Sequence, residues 1–196
     1  MTATDGRTRR AEALPPEERR RRIVEATLPL LLEHGEMVTT RLVAEAAGIA
    51  EGTIFRVFTD KDELIAAVVD HAYDPAPIEQ ALGAIDDAAP LDEVVTAAAA
   101  LLQRRMLVLS RLMACVGPRF HRTGPIPDRP ALIALFDAHR DEITVEPAVA
   151  ARWLFALTMA TSHPMLTPEP MPPAKVAQLF LHGVGRPGGD EDGAPC

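Results

Sequence analysis

The sequence has no asparagine, one tyrosine, one tryptophan and two cysteines among 196 residues. Each shortage excludes something. Without asparagine there is no Asn-Gly hairpin turn, and alternating β-branched or aromatic residues are scarce, so strand signals are weak throughout. Cys115 and Cys196 cannot build a disulfide framework, which points to a reduced, cytoplasmic protein. The longest uncharged stretch, Trp153 to Pro168, has 16 residues and is broken by His163 and Pro164, too short and too interrupted for a bilayer. Residues Met1 to Arg10 lack the apolar core of a secretory signal. Lysine is also rare, 2 against 18 arginines, a bias of the kind a GC-rich genome produces. There is no glycine-rich phosphate loop, no nucleophile elbow and no CxxC, and no two histidines lie three to five apart. Cys115, His121, His139 and His163 are the remaining metal candidates, without ligand spacing. The acid pairs Asp86-Asp87, Asp92-Glu93 and Asp141-Glu142 sit at helix ends, where carboxylates serve caps and dipoles. The expectation is a protein with no catalytic residue, no metal and no cofactor.

What is present is ordinary globular chemistry, 47% hydrophobic and 24% charged, with ample apolar surface to bury. The formal net charge is -8, but it is unevenly placed. Residues 1–62 carry 10 basic and 11 acidic groups; residues 63–196 carry 10 and 17. Seven of the basic groups crowd into Arg7 to Arg22. Such an arm is either a solvated terminus or, on a near-neutral module, a phosphate contact. In the second case the Arg19 to Arg22 cluster, with Arg41 and Lys61, would displace counterions.

Helical periodicity dominates, and about nine helices are expected in an all-α fold. A first helix covers residues 17–34, with Ile23, Ala26, Thr27, Leu30 and Leu31 on one side and Gly35 as its stop; Pro29 inside it should kink it. Two short helices follow, Thr40 to Ala47 capped by Thr39, and Glu51 to Val57. Asp60 caps a longer helix to Tyr73, ended by Pro75 and Pro77. A short helix lies near Ile78 to Asp86. Residues 91–115 are the clearest amphipathic segment. Gly117 to Pro130 is a loop, residues 130–142 a helix, and residues 147–162 a helix apolar nearly all round. The last helix is 173–184, and the tail from Gly185 should be disordered. The expected division is a basic arm 1–16, a small domain 17–62, a larger one 63–184 and the tail 185–196.

Function is concentrated in Thr39 to Phe58, TTRLVAEAAGIAEGTIFRVF. Two short helices flank Gly48 on a framework of Val43, Ala44, Ala47, Ile49, Ile54 and Phe58, which is the grammar of a helix-turn-helix. Ala44 and Ala47 allow a close crossing, and Gly48 can take the positive φ of the turn. Ala50, Glu51, Thr53 and Arg56 then face outward, toward base edges and phosphates. The segment resembles the DNA-binding domain of the tetracycline-repressor (TetR) family. Thr39, Arg41, Val43, Ala44, Ala47, Gly48, Ile49, Gly52, Thr53, Ile54, Phe58 and Lys61 match its motif or replace it conservatively, and the resemblance covers about residues 18–70. Ala50, Phe55, Val57 and Leu42 depart from it. Ala50 stands where a hydroxyl caps the recognition helix, and Phe55 where a tyrosine reaches phosphate.

The resemblance implies a dimeric transcriptional regulator, most often a repressor, with double-stranded operator DNA, a second copy of itself and an unidentified small-molecule effector as partners, and no membrane. Its DNA-facing residues would be Thr39, Thr40, Arg41, Ala50, Glu51, Gly52, Thr53, Phe55, Arg56 and Lys61. Large apolar groups with adaptable methionines, namely Met106, Leu109, Met113, Phe120, Phe136, Trp153, Phe155 and Met159, are candidates for an effector pocket or for ordinary core. Val149 and Leu157 on the 147–162 helix, with Val176, Leu179, Phe180 and Gly183 on the last one, are candidates for a four-helix dimer interface. The alternative is an all-α ligand-binding or interaction protein that has lost operator binding.

Overall fold

The computed structural model describes residues 15–120 and 128–184, without the side chains of Glu36, Gly183 and Val184. The basic arm before Pro15, His121, the middle of the 117–130 loop, Gly183 as an interface residue and the tail from Gly185 therefore lie outside the described residues. The described chain forms nine α-helices and no strand: α1 Pro16–His34, α2 Thr40–Ala47, α3 Glu51–Ile54, α4 Lys61–Tyr73, α5 Ala76–Leu82, α6 Leu91–Val116, α7 Pro130–Ala138, α8 Pro147–Ala160 and α9 Pro173–Val184. The all-α expectation holds. It divides into two compact units between His71 and Ala72.

In the N-terminal unit, α1 starts with Pro16 in its first turn, where the missing N–H costs nothing. The helix continues unbroken through Pro29 to His34. It packs on α2, and α2 on α3. Ile23, Leu31, Val43, Ile54, Phe58 and Leu64 are buried to 2% exposure or less. Small side chains line the crossing of the two short helices: Ala44 and Ala47 are buried.

The C-terminal unit is arranged on α6, whose 26 residues make a rod about 39 Å long. It packs against α5, α8 and α9, while α7 bridges α5 and α8. One core contains Val95, Ala98, Leu102, Leu132, Phe136, Ala150, Leu154, Val176 and Phe180, among others. The α8–α9 connector is tied down from α6. The Gln103 amide donates to Ser162 Oγ at 2.7 Å and to the Met171 carbonyl at 2.6 Å.

Several boundaries are tighter than the periodicity predicts. The helix expected over 130–142 stops at Ala138, and a 3-10 turn follows over Arg140–Glu142. The near-continuous apolarity of residues 147–162 is resolved by division. Pro147, Ala150, Ala151, Leu154 and Thr158 are buried in this unit, while Trp153 is 48% exposed.

Candidate functional site

α2 begins at a side-chain cap. Thr39 is extended, and its Oγ1 accepts from the Leu42 N–H at 3.3 Å. α2 ends at Gly48, with φ 67 and ψ 36. Ile49 N–H donates to the Ala44 carbonyl at 3.0 Å and Gly48 N–H to the Glu45 carbonyl at 3.2 Å. That bond pair is a Schellman motif, and it reverses the chain within three residues. Nothing lies within 4 Å of a Cβ built on Gly48, so the left-handed backbone alone selects glycine here.

α3 starts without side-chain help, because its cap position is Ala50; Thr53 N–H closes the first turn on the Ala50 carbonyl at 2.8 Å. The helix expected to reach Val57 is α only to Ile54. It continues as turns, with Val57 and Phe58 N–H both donating to the Ile54 carbonyl at 2.9 and 2.8 Å. Gly52 and Thr53 are poor helix formers and the cap is missing, so burial of Ile54 and Phe58 holds this segment more than its propensity does.

With those two anchors inward, Arg41, Ala50, Glu51, Gly52, Phe55 and Arg56 are exposed; Thr39 is exposed too, while Thr40, Thr53 and Lys61 are half-buried. Thr40 is engaged within the motif: its hydroxyl donates to Glu51 Oε1 at 2.6 Å, joining the first residues of α2 and α3. Apolar side chains share this exposure, Leu42 at 37% and Phe55 at 54%.

The arginines of α1 divide. Arg20 Nη1 donates to the Val57 carbonyl at 3.3 Å and to Glu63 Oε1 at 3.2 Å, and the guanidinium stands 4.4 Å from the Phe58 ring centroid. Arg20 thus braces the recognition segment from inside the unit, a role that charge counting along the sequence did not reveal. Arg21 donates to Glu18 at 2.6 Å across an exposed turn, and that bond raises its pKa. Arg22 is exposed.

Glu63 is the second residue that sequence reasoning missed. Its Oε2 accepts from Thr59 N–H at 2.7 Å and the Thr59 hydroxyl at 2.9 Å, while its own N–H donates to Asp60 Oδ1 at 2.8 Å. The Thr59 backbone N–H, then its hydroxyl, then Arg20 hold the carboxyl below the usual carboxylate range. The pattern Asp60-Lys61-Asp62-Glu63 is a capping-box signature and carried the signal.

A family model described as bacterial regulatory proteins, tetR family, matches residues 23–68. Residues 23–68 thus form a tetR-family domain within the N-terminal unit of this chain. Its N-terminal unit is that of a DNA-binding transcriptional regulator. Solved TetR-family structures share the fold over nearly the whole chain. A protein from Mesorhizobium loti assigned to the TetR-family transcriptional regulators is 17% identical, with a TM-score of 0.60, covering 89% of this chain and 100% of that one. SmeT, the repressor of the Stenotrophomonas maltophilia multidrug efflux pump SmeDEF, is 22% identical, with a TM-score of 0.53 over 89% of this chain and 94% of its own. A TetR transcriptional regulator from Streptomyces coelicolor is 20% identical, with a TM-score of 0.53 over 86% and 99%.

In the C-terminal unit the candidate pocket residues are scattered. Phe136 is in the core, its ring centroid 5.5 Å from that of Phe180. Met106 is buried; Leu109, Met113, Phe120 and Met159 are half-buried; Trp153 is exposed on α8. A cleft in this unit takes Phe155 from those candidates and is otherwise lined by residues outside them, Arg129, Ile133 and Arg152 among them.

The candidate interface residues also split. Val176 and Phe180, one helical turn apart, face the core of their own unit at 0% and 3% exposure, while Leu179 is 46% exposed. Val149 and Leu157 are half-buried. His139 Nδ1 lies 2.6 Å from Glu142, and His163 Nδ1 accepts from Met165 N–H at 3.2 Å. Among the described residues no three His, Cys, Asp or Glu side chains converge as a cation site. No described helix is long and apolar enough to cross a membrane.

Proposed function

We propose that this regulator is a homodimeric repressor that holds a palindromic operator and is released by a small, largely apolar effector. The observation that carries the reading is the turn at Gly48. It sets α3 so that Ile54 and Phe58 are buried and Arg56 stands exposed beside Thr53, where base edges are read. The unit that ends at His71 is the reading module, and the unit that begins at Ala72 binds the effector and dimerises. Exposed Trp153 on α8 and Leu179 on α9 supply apolar surface for the two-fold contact. A two-fold axis pairs the recognition segments for an inverted repeat. The effector acts by favouring dimers whose recognition segments have the wrong separation for the operator, and it weakens DNA binding only by that preference.

The test is anisotropy titration of the full chain on its own upstream intergenic duplex and on a scrambled duplex, over a range of salt. Preference for the native duplex, with affinity falling steeply as salt rises, is the expected result. The second reading, an all-α interaction protein that has lost operator binding, draws on uncapped Ala50 and the exposed apolar groups Leu42 and Phe55. Equal, weak binding to both duplexes at low salt is its signature.

A further inference from the structure

Glu51 is the one acidic side chain in the run Ala50 to Phe58, and it is exposed, as Arg56 is. Its carboxylate is held in place. Oε1 accepts from the hydroxyl of Thr40, in the first turn of α2, at 2.6 Å. The backbone beneath it is fixed as well, by the turn at Gly48 and by the bond from Thr53 N–H to the Ala50 carbonyl at 2.8 Å. The donor that holds the carboxylate is neutral. Thr40 therefore sets its direction without cancelling its charge, which an arginine or lysine in that place would do. Among the described residues Glu51 has no further hydrogen-bond partner and no ion pair, although Arg41 and Arg56 are exposed in the same motif.

A carboxylate on a surface that meets DNA is repelled by the phosphates. It only accepts hydrogen bonds, so DNA can satisfy it only with a donor. Two groups donate in the major groove, the N4 amine of cytosine and the N6 amine of adenine. Guanine and thymine offer only acceptors there. Adenine sets its N7 acceptor beside the amine, where it opposes the second carboxylate oxygen, whereas cytosine carries no acceptor of its own on that edge. We infer that Glu51 is a specificity-determining residue that selects a cytosine in each half-site, and that Thr40 is the positioning residue that aims its carboxylate. The competing account is structural: the Thr40 to Glu51 bond pins α2 to α3 and does nothing more.

The inference rests on the DNA-binding reading above and names a feature of the operator that the reading leaves open. The full-length protein, Glu51→Gln and Thr40→Val each select from a duplex library with a randomised core. The wild type should enrich an inverted repeat with a fixed cytosine in each half-site. Glu51→Gln should turn that position to adenine, because an amide both donates to N7 and accepts from N6, and should leave the positions read by other residues unchanged. Glutamine keeps an oxygen for the Thr40 hydroxyl, so a merely structural bond predicts the same selected sequence for both proteins. Anisotropy on the selected duplex gives the size of the effect. Exchanging that cytosine for thymine should weaken the wild type about tenfold and Glu51→Gln at most about threefold. Thr40→Val should lower the cytosine preference about threefold at that position alone; a sequence-blind loss would make Thr40 a phosphate contact and remove its positioning role. Circular dichroism checks that Thr40→Val folds, and if it does not, exposed Glu51→Gln decides. A wild-type motif whose positions all survive Glu51→Gln, or a loss spread evenly over every position, overturns the inference and leaves the bond structural. A wild type that enriches no sequence at all overturns the DNA-binding reading, and the inference with it.

Discussion

Arg20 Nη1 lies 3.2 Å from Glu63 Oε1, a bond between residues 43 apart that ties α1 to the first turn of α4. The same Arg20 nitrogen reaches the Val57 carbonyl. One side chain therefore fixes where the recognition segment ends. Because the carboxyl of Glu63 is held below its usual range, its contribution to stability is fully present above that range. It is lost as pH falls through the lowered folded value. Glu63→Gln should lower stability at neutral pH, and the gap to wild type should close in acid. Urea unfolding at both pH values measures this. A gap that persists in acid would mean that the ionised carboxylate is not what Thr59 and Arg20 hold.

The turn makes two opposite predictions. Gly48→Ala meets no neighbour, so its expected cost is the left-handed backbone alone, roughly 1–2 kcal/mol. Ala50→Ser supplies the missing cap of α3 and should add about 1 kcal/mol. Thermal unfolding reads both. A neutral Gly48→Ala would show that the turn does not hold positive φ in solution.

Arg41 and Arg56 are both exposed, but they should fail differently. Arg56→Ala is expected to cost about 1–3 kcal/mol on the operator and to relax sequence preference, as loss of a guanine contact does. Arg41→Ala should weaken every duplex alike and reduce the salt slope by about one ion. Equal, sequence-blind losses from both would make Arg56 a phosphate contact.

Leu179 and Phe180 are neighbours in sequence with opposite surroundings, 46% and 3% exposed. Leu179→Glu should leave the monomer folded, shift sedimentation toward monomer and abolish operator binding. Phe180→Ala removes a ring from the core and should cost about 3–5 kcal/mol of folding stability whatever the oligomeric state. A Leu179→Glu protein that stays dimeric would move the two-fold contact elsewhere.

The all-α class, the helix-turn-helix and the turn glycine were legible because each rests on local signals. Apolar spacing, the Thr39 cap and the conformational freedom of Gly48 act within a few residues of chain. The capping pair Asp60 and Glu63 was equally local. Its Asp60 half is read as the cap of that helix, while Glu63 is hidden by counting acidic groups there only as charge.

Partnerships across the chain were not legible. Nothing in the run Arg19 to Arg22 distinguishes Arg20, which turns inward to Val57, Phe58 and Glu63, from Arg22, which stays exposed. Phe136 read as a pocket residue and Phe180 as an interface residue, yet their rings meet in one core. The reason is physical. Periodicity tells which residues share a face of one helix, whereas burial depends on which other helix covers that face, and packing settles that between segments far apart in the chain. The same packing leaves Arg129 beside Phe155 with its Nε unpaired among the described residues, a feature that no count of charges along the sequence contains.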